Sequence, residues 1–227
     1  MIKKKKIIIF GNAEMASMAH FYFTYDSFYE VVAFTIDNEY IKKDTFEGKP
    51  LIPFQNIDKV FSPMIYDMHI ALSYKKMNKL REKKYNEAKT IGFTLASYIC
   101  SKSVFWKDLQ HGENCFILEN QTLQPHIKLG NNVILWSGNH IGHKSIIGNH
   151  TYLSSDVVVS GHCKIGERCF FGVNSTLRDF TTIGNDVLVS MDASVTKNID
   201  DGCVVISNSS EILKANDRRA VFIKNKL

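Results

Sequence analysis

Apolar side chains recur at every sixth position through the second half of the chain. In steps of six from the first of them, fourteen consecutive positions are apolar. These positions are Ile117, Leu123, Leu129, Leu135, Ile141, Ile147, Leu153, Val159, Ile165, Phe171, Leu177, Ile183, Val189 and Val195. Because apolar residues make up only 44% of the chain, chance does not keep fourteen of them in register. A period of six fits neither a single helix nor a simple alternating strand. It predicts short strands joined by tight corners, with one side chain of each hexad pointing inward.

Glycine and small side chains occupy fixed places in the same hexads. Glycine often follows the apolar residue, and a small side chain usually stands four positions after it. The glycines are Gly130, Gly142, Gly148, Gly166, Gly172 and Gly184, and the small residues are Ser145, Thr151, Val157, Cys163, Cys169, Ser175, Thr181, Val187 and Ala193. Glycine serves where the chain bends or needs a positive φ. Three hexads then form one triangular coil of eighteen residues, and stacked coils bury the apolar column. Cys163 and Cys169 are predicted to be inert core residues.

The first hundred residues carry a different pattern, in which apolar strands alternate with helices. The predicted strands are Lys5–Gly11, Glu30–Asp37, Tyr66–Tyr74 and 93–99, and the predicted helices are 13–23 and 77–92. Gly92 supplies a stop signal for the second helix. This alternation predicts a small parallel α/β sheet of the Rossmann-like type.

Charge and cysteine content exclude several classes of protein. The net charge of +5 comes partly from the run Lys3–Lys6, which is typical of a solvated flank before a buried strand and predicts no nucleic-acid partner. No apolar run approaches the ~18 residues of a membrane span. The five cysteines are odd in number and form no CxxC motif, which disfavours a disulfide framework and predicts a reducing, cytoplasmic environment.

An α/β domain followed by hexapeptide coils resembles the sugar acyltransferases of the NeuD/PglD type, typified by sialic acid O-acetyltransferase and the bacillosamine-pathway N-acetyltransferase. The stretch "FGNAEMA" stands where that family has a glycine-rich nucleotide-binding turn, and "KIGERCFFGVNSTL" looks like its mid-coil segments. The resemblance implies a left-handed parallel β-helix, acetyl-CoA as co-substrate, a nucleotide-linked amino sugar as acceptor and a homotrimer. It favours N-acetylation in bacterial surface-glycan biosynthesis, with sugar O-acetylation as the alternative.

The resemblance also gives a division into domains. We expect a Rossmann-like sugar-nucleotide-binding domain over residues 1–100, a left-handed β-helix acyltransferase domain over 101–205, and a C-terminal tail over 206–227.

Three of the eight histidines lie between Trp136 and His150. Ile141 is predicted to point inward, so His143, two residues later, is predicted to face outward. The stretch "NHIGHKSIIG" also looks like a segment of the lipid A UDP-N-acetylglucosamine acyltransferases. That likeness implies that His143 is the general base and that His140 lines the substrate pocket. A neutral imidazole suits the role, because it can take the proton of an amine or hydroxyl that attacks a thioester.

Two further residues of this segment, His150 and Lys144, carry expectations of their own. His150 is predicted to face outward at a corner, and no role is assigned to it. Lys144 follows His143 where the related motif has an acidic residue. Another group must therefore orient the imidazole, and a backbone carbonyl is one candidate.

Gly161 stands one coil of eighteen residues after His143 and is predicted to lie beside it. The resemblance implies that its N–H group stabilises the oxyanion of the reaction. The alternative is that Gly161 merely makes a corner.

The first turn of the α/β domain is the predicted site for the sugar nucleotide. Backbone N–H groups at Gly11 and Asn12 can bind a diphosphate, and Asp37 can accept a hydrogen bond from a ribose hydroxyl. A solvent-exposed turn is the alternative for Asp37.

Two readings from other classes remain open. The γ-class carbonic anhydrases use the same coils with histidine-bound metal, and His126 and His162 are two coils apart here. The third histidine of such a site is missing, since position 167 is Glu, and zinc prefers three protein ligands. We therefore predict no metal site. A non-catalytic trimer that binds a sugar nucleotide is the other reading, and turnover of acetyl-CoA would exclude it.

Overall fold

The N-terminal part of the protein folds around a five-stranded sheet. The computed structural model describes residues 5–208 and 211–226. The strands of the sheet are β1 (Lys5–Phe10), β2 (Tyr29–Ile36), β3 (Thr45–Phe46), β4 (Lys49–Pro53) and β5 (Tyr66–Ile70), and its helices are α1 (Glu14–Tyr25), α2 (Ile57–Val60) and α3 (Lys79–Ile91). The strand order is β3-β4-β2-β1-β5, with four parallel strands and an antiparallel edge strand β3. The predicted α/β domain is confirmed, with a hairpin added at one edge.

Two details of this domain differ from the sequence-based prediction. Strand β4 was missed because it contains Pro50 and Pro53, and proline usually argues against a strand. The predicted last strand over 93–99 was wrong. Leu95 makes only an isolated bridge with Met68, and the chain then leaves the sheet to begin the coils with β6 (Tyr98–Ile99).

Residues 98–205 form a left-handed β-helix of two-residue strands. The hexads predicted the short strands and the corners, and the family resemblance implied the left hand. The strands after β6 are β7 (Gln110–His111), β8 (Phe116–Ile117), β9 (Thr122–Leu123), β10 (Lys128–Leu129), β11 (Ile134–Leu135), β12 (His140–Ile141), β13 (Ile146–Ile147), β14 (Tyr152–Leu153), β15 (Val158–Val159), β16 (Lys164–Ile165), β17 (Phe170–Phe171), β18 (Thr176–Leu177), β19 (Thr182–Ile183), β20 (Leu188–Val189), β21 (Ser194–Val195) and β22 (Val204–Val205). All fourteen residues of the six-residue register are at most 5% exposed. Cys163 and Cys169 are buried in the core as predicted, and burial raises the pKa of Cys169 to about 11.

The strands build three parallel sheets, which are the faces of a triangular prism. Face 1 contains β6, β8, β11, β14, β17, β20 and β22, face 2 contains β9, β12, β15, β18 and β21, and face 3 contains β7, β10, β13, β16 and β19. The chain therefore passes from face 1 to face 2 to face 3 in every coil. A helix α4 (Arg218–Lys226) lies in the C-terminal tail. None of the helices in the described residues is long and apolar enough to cross a membrane.

Each corner of the prism from Asn114 to Asp192 contains one residue in the left-handed conformation. These residues recur every six positions with φ between 56° and 66°, and they are Asn114, Asn120, His126, Asn132, Lys144, His150, Asp156, His162, Arg168, Asn174, Phe180, Asp186 and Asp192. Gly138 continues the series with φ 83°. Asn, Asp and His adopt this conformation more readily than most other residues. Three of the eight histidines are therefore corner residues, which explains part of the crowding in the sequence.

The α/β domain packs on face 1 through buried polar contacts. Arg81 of α3 is fully buried and donates to the backbone carbonyls of Asn132 and His150, the second at 2.9 Å. Asn114 bonds both backbone groups of Ile70, accepting from its N–H at 2.7 Å and donating to its carbonyl at 3.2 Å. These contacts join α3 and the end of β5 to one corner of the prism, between faces 3 and 1.

The contacts of α3 correct the prediction for His150. Its side chain points away from the coil, as expected, but it is only 7% exposed because α3 covers it. Tyr85 packs edge-on against the ring, and the Asn132 side chain is 2.9 Å from Nδ1. Burial, together with the nearby Arg81 charge, lowers the pKa of His150 to about 4. His150 is thus an interior residue of the domain contact.

Candidate active site

His143 lies at the corner between faces 2 and 3, which is the corner opposite face 1. It follows β12 and immediately precedes the left-handed residue Lys144. Its side chain is exposed, outside the coil. The α/β domain contacts face 1 and part of each flanking corner, where Tyr22 bonds Glu119 and Arg81 bonds the His150 carbonyl, and it leaves the His143 corner open.

Gln124, on the preceding coil, holds the His143 imidazole. Its half-buried side chain places Oε1 2.8 Å from the His143 backbone nitrogen and 3.0 Å from Nδ1. Sequence reasoning left the orienting group open and missed Gln124. The spacing of nineteen residues is one more than a coil, so the contact is diagonal and lies outside the eighteen-residue columns.

Gly161 lies directly beside the imidazole, at the place that the spacing predicted. A β carbon built on Gly161 would be 2.7 Å from Cε1 and 3.1 Å from Nε2 of His143. The N–H groups of the neighbouring Ser160 and His162 donate to backbone carbonyls at 3.2 and 2.8 Å. Within the described residues, the Gly161 N–H finds no such acceptor. It is therefore a free donor next to a potential base.

Two further rings stack above His143 along the same corner. The ring of His162 is edge-on to His143, with centroids 4.9 Å apart, and Phe180 stacks on His162 at 4.6 Å. Phe180 is 67% exposed although it is a large apolar side chain. Both residues occupy left-handed corner positions, and sequence reasoning did not connect them with His143.

His140 lies on face 2, three residues before His143. It is half-buried and pairs in the sheet with Thr122 below and Val158 above. Its position on the face next to the corner is compatible with the predicted role in lining a pocket.

The predicted nucleotide turn lies at the carboxyl end of β1. Gly11 has φ 136°, and a β carbon there would be 2.9 Å from the Ala71 carbonyl oxygen. Its N–H already donates to Thr35 in the sheet at 2.9 Å. The donors that remain for a ligand belong to Asn12 and to the first turn of α1, whose N-cap Ala13 supplies no side-chain hydrogen bond. In the predicted nucleotide-binding turn, Gly11 therefore supplies the backbone conformation, and the residues after it supply the N–H groups that can bind a ligand.

Asp37 follows β2 and lines a cleft of about 880 Å³. Its Oδ1 accepts from Lys84 Nζ at 2.7 Å and from Gln55 Nε2 at 3.3 Å. Lys84 is buried and also bonds Glu87 at 2.6 Å. Burial opposes the charge of Lys84, but the two carboxylates outweigh it and raise the pKa of this amine. Oδ2 of Asp37 has no hydrogen bond within the described residues and remains able to accept one.

The predicted site residues therefore form two separate groups in one chain. His143 and Gly161 are in contact at the open corner, with His140 on the adjoining face. Gly11, Asn12 and Asp37 lie at the carboxyl edge of the sheet, on the domain that covers face 1.

The histidines considered for a metal site are arranged differently from a metal centre. His126 Nδ1 is 2.8 Å from Asp108 Oδ2, and Lys144 occupies the corner position between His126 and His162. The described residues contain no group of three or more His, Cys, Asp or Glu side chains that could hold a metal ion.

The coils match known acyltransferases in sequence. Residues 144–179 match the family described as bacterial transferase hexapeptide, six repeats. An acyl-(acyl-carrier-protein)–UDP-N-acetylglucosamine O-acyltransferase of Sinorhizobium fredii is 29% identical over an alignment of 85 residues, which covers 34% of this chain and 32% of that protein. A UDP-3-O-acylglucosamine N-acyltransferase of Bordetella petrii is 34% identical over 96 residues, 40% of this chain and 25% of that protein. The chain thus spans about a third of the length of the curated relatives that it matches.

The whole fold matches solved structures. The acetyltransferase domain of PglB from Neisseria gonorrhoeae, solved also with acetyl coenzyme A, has a TM-score of 0.80 at 20% identity, covering 92% of this chain and 100% of that chain. PerB from Caulobacter crescentus, solved with CoA and GDP-perosamine, has a TM-score of 0.76 at 20% identity, covering 88% of this chain and 92% of that chain. This chain shares with them an α/β domain followed by a left-handed β-helix.

Proposed function

We propose that this protein is an acetyl-CoA-dependent N-acetyltransferase that acts on a nucleotide-linked amino sugar in bacterial surface-glycan biosynthesis. The observation that carries the proposal is the exposed imidazole of His143 beside the free N–H of Gly161. A base and an oxyanion donor in contact are the two groups that acyl transfer requires. The proposal is supported by two proteins of the same fold, one solved with acetyl coenzyme A and the other with CoA and GDP-perosamine.

The reaction follows from these two groups. His143 Nε2 accepts a proton from the sugar amine as the nitrogen attacks the thioester carbonyl. The Gly161 N–H donates to the oxyanion of the tetrahedral intermediate. When the intermediate collapses, the C–S bond breaks, an amide is formed, and the proton held by His143 passes to the CoA thiolate. His140 lines the sugar pocket from face 2.

The carboxyl edge of the α/β sheet holds the nucleotide. The unpaired N–H groups of Asn12 and the first turn of α1 bind the diphosphate, which is the usual ligand of a helix N-terminus after a first strand. Oδ2 of Asp37 accepts from a ribose hydroxyl. Gly11 lets the chain pass close to Ala71, where any side chain would collide.

The protein acts as a homotrimer in which neighbouring chains complete each site. His143 lies at the corner opposite the face that its own α/β domain covers, so a neighbouring chain must supply the nucleotide edge. Face 2 and its corner with face 1 expose apolar side chains at Val158, Val173 and Met191, which are 38%, 44% and 59% exposed. Exposed apolar surface of this kind is typical of an interface between chains.

The five cysteines, all free, agree with a cytoplasmic location.

The test is turnover of acetyl-CoA with a panel of UDP-, dTDP-, GDP- and CMP-linked amino sugars. We expect release of CoA and a product that gains one acetyl group as a base-stable amide; a base-labile ester would indicate O-acetylation. His143→Asn should lower kcat by ~10²–10⁴ with KM changed little, because a general base acts mainly in the transition state. His140→Asn should act mostly on KM, and His111→Asn, at an exposed position on face 3, is the control.

Two results would contradict the proposal. No turnover with any nucleotide sugar would favour the non-catalytic trimer. Near-normal kcat of His143→Asn across about pH 6–9 would mean that the amine arrives already neutral and that no general base acts at this corner.

A further inference from the structure

The oxygen of Gln124 receives two donors from one residue. The His143 backbone N–H reaches Oε1 at 2.8 Å, and Nδ1 of the same residue lies 3.0 Å from the same atom. A backbone N–H is always a donor, so the group facing it must be the amide oxygen of Gln124 and not its NH2. The orientation of this amide is therefore fixed by the backbone, independently of the imidazole.

An amide oxygen can only accept hydrogen bonds. The nitrogen beside it, Nδ1, must consequently carry the proton of the neutral imidazole. The second nitrogen, Nε2, then carries the lone pair. Both ring nitrogens lie beside Gly161, since Nδ1 is 3.0 Å and Nε2 is 3.1 Å from the place of a β carbon on that glycine, so the contact with Gln124 is what distinguishes them.

Within the described residues, no other side chain bonds the His143 ring. The titratable or charged groups next to it in the chain and along this corner are Lys144, His162 on the following coil, and His126 on the preceding coil, which pairs with Asp108 one coil further away. His162 contacts the ring edge-on and bonds the His143 carbonyl through its own backbone N–H at 2.8 Å. Among the described residues, Gln124 is thus the one side chain that is hydrogen-bonded to the His143 ring and can fix its tautomer.

We infer that Gln124 is a positioning residue for catalysis, which keeps the proton of neutral His143 on Nδ1 and the lone pair of Nε2 directed at the acceptor amine. It takes the place of the acidic residue expected after His143, a position held here by Lys144. An uncharged acceptor orients the ring without adding a negative charge that would favour its protonated form. The inference rests on the proposed acetyl transfer.

The first experiment reads the tautomer directly and needs no substrate. Histidine-selective ¹⁵N NMR of the full chain at about pH 8, assigned with His143→Asn, should show a protonated Nδ1 and an unprotonated Nε2 for His143 in the wild type. Gln124→Ala should move the population toward the Nε2–H form. Gln110→Ala, an exposed glutamine on face 3, should change nothing. A wild-type His143 protonated mainly at Nε2 would overturn the inference, whatever the enzyme proves to catalyse.

The second experiment separates positioning from a structural role. Gln124→Ala should lower kcat on the order of tenfold to hundredfold with both KM values unchanged, because the base is no longer aligned. Gln124→Glu keeps the acceptor and should restore most of kcat at high pH. Its negative charge should move the acid limb of the kcat/KM profile upward by about one pH unit.

The outcomes of the kinetic test are distinguishable. Wild-type kcat in Gln124→Ala, or equal losses in Gln124→Ala and Gln124→Glu with no shift of the acid limb, would overturn the positioning role. If the NMR result is as expected and no nucleotide sugar is acetylated, the contact stands and the proposed function fails.

Discussion

The imidazole of His143 lies across the Cα atom of Gly161, so closely that a methyl group has no room between them. A β carbon on Gly161 would be 2.7 Å from Cε1 of the ring, while the Gly161 N–H remains unpaired among the described residues. The glycine does not have a positive φ, so its backbone would accept another residue. What requires glycine here is the proximity of the ring and the access to the N–H.

Gly161→Ala should therefore impair catalysis without unfolding the coil. The three atoms nearest to a β carbon there all belong to the exposed His143 ring, which can swing aside, so the melting temperature should stay within about 2 °C of wild type. The added methyl group should displace the His143 ring and block access to the N–H group of residue 161. Together these effects should lower kcat on the order of a hundredfold. Gly148→Ala is the matched contrast, since its β carbon would be 2.5 Å from the Gly166 carbonyl oxygen and should destabilise the coil. Wild-type kcat in Gly161→Ala would contradict the oxyanion role.

Asp37→Ala should raise KM for the sugar nucleotide about tenfold and leave KM for acetyl-CoA nearly unchanged, because Oδ2 would no longer accept from the ribose. The substitution also removes one carboxylate from the buried Lys84. Glu87→Ala removes the other carboxylate of Lys84 and serves as the control for that loss. Equal changes in both KM values, or the same effect in Glu87→Ala, would mean that Asp37 does not contact the nucleotide.

Mixed trimers test whether two chains share one site. His143→Asn chains lack the base, and Asp37→Ala chains lack the ribose acceptor. Refolding or coexpressing the two should regain activity at low nucleotide-sugar concentration, because some interfaces then combine an intact His143 with an intact Asp37 of the neighbour. A mixture no more active than the sum of its separate parts would place both halves in one chain, and a monomer in sedimentation equilibrium would exclude the trimer.

Two buried histidines should make the fold sensitive to mild acid. Burial lowers the pKa of His69, which lies among Phe23 and Phe116, to about 4, and that of His150 to the same value. Since both titrate near 6.5 when unfolded, the unfolded chain binds more protons between these pH values. Stability is therefore full above about pH 6.5 and falls as the pH drops toward 4, by on the order of 2–3 kcal/mol for each histidine.

Urea unfolding across this pH range measures the effect. His150→Asn suits the left-handed corner and removes one titrating group, so it should reduce the slope of stability against pH by about half. His111→Gln, at an exposed position, should leave the slope unchanged. An unaltered slope in His150→Asn would mean that His150 is not buried as a neutral group.

The coil was predictable because each hexad repeats one unit of backbone, and the inward side chain is the same in every unit. The contact between His143 and Gly161 was predictable for the same reason, since residues one coil apart are always neighbours. The corner residues show a second regularity that sequence reasoning overlooked. His126, His150 and His162 share the phase of the left-handed corners, whereas His143 stands one place before a corner. This phase distinguishes it from the histidines that turn the chain.

Contacts between different units of the fold were not predictable from the repeat. The burial of His150 depends on how α3 packs on the prism. The Gly11 N–H donates to the Thr35 carbonyl inside the sheet because of the register between β1 and β2, and so it is not available to a ligand. Gln124 reaches His143 along a diagonal. Each of these depends on packing in three dimensions, which spacing along the chain does not encode.

The regular pairing of the coils also restricts how this lineage can gain or lose residues. One inserted residue inside a strand would break the six-residue register at that strand, whereas duplication of eighteen residues would add a whole coil. The bonds to the α/β domain and the His143 corner lie between Ser101 and Asp186. Duplications beyond Asp186 would lengthen the prism and leave that segment unchanged. Evolution can therefore vary the free end in steps of one coil, while the length between the docking contacts and the histidine is held constant.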